Sequence, residues 1–258
     1  MSRPLAAITL LLGLGLPHPA QAGLLFGGIG ASNSDMGYSE AHSWMHSLGE
    51  LCPDATILHA TGIGTGIRDA LHSQLPSLAA QARRQLGDAF HFDLVVLNPG
   101  HNSAGDQATI QAAIAYSRNS LHASEVDFMG YDTGYVPRGH GFYTWALAPG
   151  SGFNYYTPAD ELVYSNPGCD NGTYCGGDRF HWNRLGDHRI ATAVFVEVVL
   201  RREIESELWI TRLPTSLDEW ARYKERLRTS GLTCEQRWNR ARRRAPLTTD
   251  VFQSPRFL

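Results

Sequence analysis

The stretch FDLVVLNPGHN, residues 92–102, decides the fold because it holds the clearest strand in the chain. Its β-rich apolar run is stopped by Asn-Pro-Gly, a combination typical of a strand that ends in a turn. Polar residues follow at once. The stretch therefore predicts a buried strand with a polar loop at its carboxyl end.

Strands and helices alternate on both sides of this stretch. Apolar runs predict further strands at 24–29, 56–59 and 126–131. The spacing of apolar residues predicts helices at 39–51, 75–86, 107–120, 184–204 and 217–227. Residues 132–180 are rich in Gly, Pro, Tyr and Asn and are predicted to be irregular, with short helical pieces at most. The alternation predicts an α/β fold class, a three-layer α/β/α sandwich around a parallel sheet.

Four clusters of polar residues and glycine stand where strands end or where the last long helix begins. They are GASNSD (30–35), GIGTG (62–66), PGHNS (99–103) and DRFHWN (178–183). In open α/β sheets, functional groups gather at the carboxyl ends of the strands. The clusters are therefore expected to meet at one edge of the sheet.

These clusters contain the groups that ester hydrolysis requires. Ser32 is the candidate nucleophile, His181 the base, and Asp178 the residue that orients the imidazole. The backbone N–H groups of Ser32 and Gly64 and the side-chain amide of Asn102 are the candidate oxyanion donors. Each residue taken alone is a common turn or helix-cap residue, and only their conjunction predicts a site.

The clusters together resemble the SGNH (GDSL-like) hydrolase superfamily, over about residues 24–204. The matching segments are GAS at 30–32, the single Gly64, GHNS at 100–103 and DRFH at 178–181. The resemblance implies a flavodoxin-like sheet and hydrolysis of carboxylic esters without a metal or other cofactor. It gives the five site residues the same roles as the chemistry does.

The sequence departs from the family pattern at two positions. Ala31 stands before the nucleophile where the family has Asp, and Ser103 follows Asn102 where the family again has Asp. Neither residue takes a direct part in the chemistry described. The Gly-x-Ser-x-Gly elbow of ordinary α/β-hydrolases is absent, because Ser34 occupies the position of the second Gly.

The segment that leads into Asp178 carries many aromatic residues, which suit sugar stacking, an acyl pocket or a loop core. They are Tyr131, Tyr135, Phe142, Tyr143, Trp145, Phe153, Tyr155, Tyr156, Tyr164 and Tyr174. The expected substrate is a small-molecule or glycan ester, with a carbohydrate O-acetyl group favoured. The alternatives are a lipid esterase or acyltransferase using the same residues, and a glycan-binding protein without activity.

The first 22 residues have the pattern of an export signal. Arg3 precedes an apolar run at 5–16, and 20–22 (AQA) has the small-x-small pattern of a cleavage site. The twelve-residue run is too short to span a bilayer comfortably. A secreted protein, extracellular or periplasmic, is expected, with no transmembrane segment after cleavage. The hydrolase domain is assigned to 23–212 and a helical, basic extension to 213–258.

Export makes disulfides the expected state of the four cysteines. Cys169 and Cys175 bracket a short loop that a local bridge would close, which would leave Cys52 to pair with Cys234. Three pairings are possible for four cysteines, and the sequence alone does not fix one.

Charge is distributed unevenly along the chain. Residues 1–200 hold 9 Lys and Arg against 17 Asp and Glu, whereas 201–258 hold 13 against 8. The basic run at 237–246 is interpreted as a solvated tail, with an anionic surface as the alternative. No nucleic-acid partner is expected for an exported protein, and the chain is expected to be a monomer.

Two histidines suggest a different kind of site. His42 and His46 are four residues apart on the helix predicted at 39–51 and would share a face, as metal ligands do. No Glu adjoins them in the His-Glu-x-x-His manner, so no metal site is predicted.

Overall fold

A computed structural model provides the fold. It describes residues 23–35, 42–98, 107–130, 152–159, 162–163, 169, 172–178, 181–201 and 212–244. The predicted export signal, Asn102 and Ser103 lie outside these ranges, as do most of the aromatic residues between 131 and 164.

Five parallel strands form one sheet. They are β1 (Leu25–Gly30), β2 (Thr56–Thr61), β3 (Leu94–Asn98), β4 (Glu125–Gly130) and β5 (Tyr155–Pro158). Their order across the sheet is β2-β1-β3-β4-β5. This is the flavodoxin-like order, in which the direction of strand addition across the sheet reverses after β2, so that a crevice forms at the carboxyl ends of β1 and β3. The predicted three-layer α/β/α fold is confirmed.

Helices lie between the strands and follow the last strand. They are α1 (Trp44–Leu51), α2 (Ile67–Asp69), α3 (Leu75–Leu86), α4 (Gln107–Asn119), α5 (Arg184–Val194), α6 (Leu217–Thr229) and α7 (Cys234–Arg244). Wider π turns join α2 to α3 at Ala70–Gln74 and extend α5 over Phe195–Val199. The prediction for α3 matches its observed bounds, and the other predicted helices lie within a few residues of theirs, apart from the start of α1 and the end of α5.

The sheet separates two apolar cores because successive side chains of a strand point to opposite faces. Phe26 and Val96 pack with α1, α5, α6 and α7 on one face. Leu25 and Val95 pack with α3 and α4 on the other. A Cβ at Gly28 would lie 1.9 Å from Met45 Sδ, so the absence of a side chain there allows α1 to lie directly on β1.

Three predictions are corrected. Strand β5 lies in the segment predicted to be irregular, and α1 begins at Trp44, capped by Ser43, so that His42 precedes the helix. The solvated tail predicted at 237–246 is wrong for 237–244, which lies in α7. There Trp238 packs on Phe26, and Arg242 forms an ion pair with the buried Glu125.

The cysteines lie in two pairs at disulfide distance, Cys52 with Cys234 and Cys169 with Cys175. The first pair joins the end of α1 to the start of α7. Asp54 adds to this junction, since its carboxylate accepts hydrogen bonds from the N–H groups of Cys234 and Glu235. In the part of the chain that is described, no helix has the length and apolar character needed to cross a membrane.

Candidate active site

The turn that carries Ser32 grows directly out of β1. Ala31 N–H donates to the Asn98 carbonyl oxygen at 3.2 Å, which continues the β1–β3 pairing by one residue. The chain then closes into a single 3₁₀ turn, Ser32–Ser34. Ser32 is half-buried, whereas Asn33 and Ser34 are buried. The nucleophile candidate therefore lies at the carboxyl edge of the sheet with its neighbours held beneath it.

Ser34 is the anchor of this turn. Its Oγ accepts hydrogen bonds from Trp44 Nε1 at 2.9 Å and from Asn98 Nδ2 at 2.8 Å. Gly30 permits the arrangement, because a Cβ there would lie 2.2 Å from Ser34 Oγ. Ser34 thus joins the turn that carries Ser32 to β3 and to α1, and a glycine at this position could not make these hydrogen bonds.

The loop after β2 lies against the same turn. Gly62 N–H and Gln74 Nε2 both donate to the Gly30 carbonyl oxygen, at 3.0 Å and 2.9 Å. Gly64 lies two residues beyond Gly62 at φ +69°, a left-handed conformation that favours glycine. Gly64 is exposed. The structure therefore places the Gly64 loop beside the Ser32 turn, while Asn102 lies outside the described residues.

His181 is presented by a tight hairpin. Cys175 and Trp182 form an antiparallel bridge, and Gly176 N–H donates to the His181 carbonyl oxygen at 2.8 Å. Asn183 holds the base of the hairpin, because its Oδ1 caps α5 while its Nδ2 donates to the carbonyl oxygens of Thr173 and Cys175. Cys175 is also paired with Cys169, which ties the same end of the hairpin to a second segment of the chain.

The hairpin brings three predicted residues into hydrogen-bonding contact. His181 Nε2 lies 3.0 Å from Ser32 Oγ, across 149 residues of sequence. His181 Nδ1 lies 2.5 Å from Asp178 Oδ2. The other carboxylate oxygen, Asp178 Oδ1, accepts from the His181 backbone N–H at 2.9 Å, so both oxygens hold the histidine. The His181 side chain is 17% exposed and that of Asp178 is 48% exposed, which leaves the group open to solvent.

Asn33 connects the two halves of the site. Its Oδ1 accepts from Trp182 N–H at 3.2 Å and so joins the residue after Ser32 to the residue after His181. Sequence reasoning missed Asn33, Ser34 and Asn98 as positioning residues. A signal existed for Asn98, since an amide that ends a buried apolar strand needs a partner. Nothing local in the sequence indicated which partner that would be.

Of the aromatic residues for which sugar stacking, an acyl pocket and a loop core were the alternatives, the structure describes the side chains of Phe153, Tyr155 and Tyr174. Phe153 packs against Phe128 in the core, with ring centroids 4.9 Å apart, and Tyr155 is buried in β5. Tyr174 lies against the Arg189 guanidinium. These three side chains therefore form part of the packing of the loop and not an open stacking surface.

Comparison with known proteins adds no relative. No family model matches the chain, and a search of the curated proteins finds no match. The functional assignment consequently rests on the motifs and on the contacts between their residues.

Proposed function

We propose that this chain is an exported serine esterase of the SGNH type that hydrolyses carboxylic O-acyl esters. The observation that carries the proposal is the continuous contact from Ser32 Oγ through His181 to Asp178. This is the nucleophile–base–orienter arrangement of acyl transfer. Solvent access to His181 and Asp178 supports a site that a substrate can enter.

The contacts support a two-step reaction. Ser32 Oγ attacks the ester carbonyl carbon while His181 Nε2 takes the hydroxyl proton, and Asp178 stabilises the resulting imidazolium. The intermediate expels the alcohol, which receives that proton, and leaves the acyl group on Ser32. A water molecule then attacks the acyl carbon, gives its proton to His181, and releases the carboxylic acid as the proton returns to Ser32.

The negative oxygen of each intermediate needs donors aimed at it. We assign this role to the backbone N–H groups of Ser32 and Gly64 and to the Asn102 amide. The hydrogen bonds that hold the β2 loop on Gly30 support the Gly64 assignment. Export to the extracellular space or the periplasm is supported by the signal pattern at 1–22 and by two cysteine pairs at bonding distance.

The substrate class we propose is a small-molecule or glycan ester with a short acyl group, such as a carbohydrate O-acetyl ester. The test is hydrolysis of p-nitrophenyl acetate and p-nitrophenyl octanoate by residues 23–258, compared with the Ser32→Ala variant. Ser73→Ala is the matched control, since Ser73 is an exposed serine outside the site. Turnover of acetate in preference to octanoate, lost only in Ser32→Ala, is the expected result.

Two results would change the assignment. Comparable turnover of octanoate would replace the short-chain proposal with a lipid-type ester. Equal rates for Ser32→Ala and the wild-type protein on both esters would overturn the esterase proposal and leave glycan binding as the function to test.

A further inference from the structure

Three potential metal ligands meet on the α1 side of the sheet, apart from the candidate active site. His42, His46 and Glu50 each offer a ligand atom, and these atoms all lie within 4.8 Å of one another. His46 and Glu50 are one helical turn apart on α1, with His46 Nε2 4.0 Å from Glu50 Oε1. His42 lies just before the helix and adds its ring from the buried side.

His42 is oriented as metal-bound histidines are. Its Nδ1 faces Asp187 Oδ2 at 3.7 Å and Ser47 Oγ at 3.5 Å, and both residues are fully buried. Its Nε2 is buried and has no hydrogen-bond partner within the described part of the chain. Ligating histidines commonly turn their second nitrogen to a carboxylate, which fixes the ring and its tautomer. The contacts of Nδ1 therefore leave Nε2 as the atom available to a metal ion.

The carboxylate of Glu50 is also held in place by neighbouring side chains. Its Oε2 accepts hydrogen bonds from Trp220 Nε1 at 2.9 Å and from Lys224 Nζ at 3.0 Å. These donors fix the carboxylate from one side, and Oε1 remains directed toward His46. Hydrogen bonds to a ligating carboxylate from outside the first coordination sphere are a regular feature of metal sites.

The cluster also has an entry path. A cleft of about 430 Å³ is lined by His46, Glu50 and His59, among others. Two imidazoles and one carboxylate with an open position form a ligand set typical of zinc. Zinc bonds of roughly 2.0–2.1 Å place tetrahedral ligand atoms about 3.4 Å apart. Small side-chain rotations would bring the three candidate ligand atoms to that distance.

We propose that His42, His46 and Glu50 bind a divalent transition-metal ion of the zinc class, with the fourth position open to the cleft. The sequence pattern did not predict this site, because the His-Glu-x-x-His pattern places its Glu beside a histidine, whereas Glu50 lies one turn further along α1. The site is independent of the esterase proposal, since it shares no residue with Ser32, His181 or Asp178.

Calorimetric titration of the chelator-stripped protein with zinc chloride tests the proposal, with magnesium chloride as the comparison ion. One zinc ion should bind per chain with a rise in Tm, and magnesium should not compete. His46→Ala should weaken binding by more than the roughly 10- to 100-fold that is lost when a residue hydrogen-bonded to a metal ligand is removed. The His46 side chain is 53% exposed, so this variant should keep the Tm of the metal-free protein.

His72→Ala is the matched control, because His72 is an exposed histidine outside the cluster. It should bind zinc like the wild-type protein, and so should Ser32→Ala. Glu50→Gln should bind zinc more weakly than the control. Absence of saturable zinc binding, or equal affinities for His46→Ala and His72→Ala, would overturn the metal site without bearing on the esterase.

Discussion

Within the described residues, two groups of serine, histidine and aspartate differ in their contacts and in their access to solvent. Ser32, His181 and Asp178 lie at the carboxyl edge of the sheet, with the side chains of His181 and Asp178 partly exposed. Ser47, His188 and Asp187 lie between α1 and α5, and all three are fully buried. The same residue types therefore differ between the two groups in their access to solvent.

The contacts within the two groups differ as well. His181 uses one ring nitrogen for a serine and the other for a carboxylate. His188 Nδ1 lies 2.9 Å from Ser47 Oγ, but its ring stacks on Trp220, and Asp187 faces His42 instead. The buried group is thus a packed polar contact between helices. The exposed group is connected in the order that proton transfer requires.

The largest effect expected is on turnover, in the exposed group. His181→Ala removes the proposed base and should lower kcat for p-nitrophenyl acetate by roughly 10⁴-fold or more. The Tm should stay close to that of the wild-type protein, because the side chain is partly exposed. His72→Ala serves as the control and should keep the wild-type rate. An unchanged kcat in His181→Ala would mean that the exposed group, like the buried one, is not required for turnover.

Titration of the buried carboxyl group of Asp127 should make the stability of the protein depend on pH. Burial raises the pKa of Asp127 to about 7, although Thr157 Oγ1 donates to its carboxylate at 2.9 Å. Since an unfolded Asp titrates near pH 3.9, the native state binds more protons between about pH 4 and 7. The free energy of unfolding therefore falls as pH rises through this window, by an amount on the order of 4 kcal/mol from this group.

Asp127→Asn should abolish that part of the pH dependence. Urea unfolding of both proteins at pH 5 and pH 8 measures it, because the difference between them cancels the other titrating groups. The variant should gain stability relative to wild type as pH rises. Parallel pH profiles for the two proteins would show that Asp127 does not titrate as its burial requires.

The two cysteine pairs offer a comparison of stability with activity. Replacing Cys52 and Cys234 by Ser should lower the free energy of unfolding by about 3 kcal/mol, since a bridge over 182 residues restricts the unfolded chain strongly. The pair joins the end of α1 to the start of α7 and is not part of the hairpin that presents His181, so kcat at 25 °C should not change. Denaturant unfolding and ester hydrolysis on the same sample measure both.

Replacing Cys169 and Cys175 by Ser should affect kcat more than stability, which is the opposite pattern. This pair closes only 6 residues and stabilises less, but it adjoins the hairpin that presents His181. We expect a lower kcat with a small change in stability. Equal effects of both double replacements on kcat would argue against a positioning role for the hairpin.

Most of the sheet could be predicted from local sequence. Strands β1, β3 and β4 are apolar runs that end at Gly or Asn, and their pattern is a property of the segment itself. Strand β5 could not be predicted, because Tyr155–Pro158 is short, ends in proline and is defined by pairing with β4. The extension at 213–258 was predicted to be helical, but the packing of α7 was not predicted, because its many arginines hide an apolar stripe that includes Trp238 and Ala241.

The residues of the candidate site likewise include some that the sequence could predict and some that it could not. The sequence allowed Ser32, Asp178 and His181 to be chosen, because their motifs occur in the same order along the chain as the strands and helix α5. The supporting bonds of Asn33, Ser34 and Asn98 join segments up to 149 residues apart. Such partners depend on the packed geometry, and no spacing rule within one segment indicates them.

The smallest effect expected is in the buried group. Ser47→Ala leaves His188 Nδ1 buried without its partner, which should lower the free energy of unfolding by about 2 kcal/mol. The kcat for p-nitrophenyl acetate should remain within a few-fold of wild type, because Ser47 does not contact Ser32 or His181. Unfolding in urea and initial rates on the same preparation measure the two quantities. A large loss of kcat with unchanged stability would mean that the buried group, and not the exposed one, carries the chemistry.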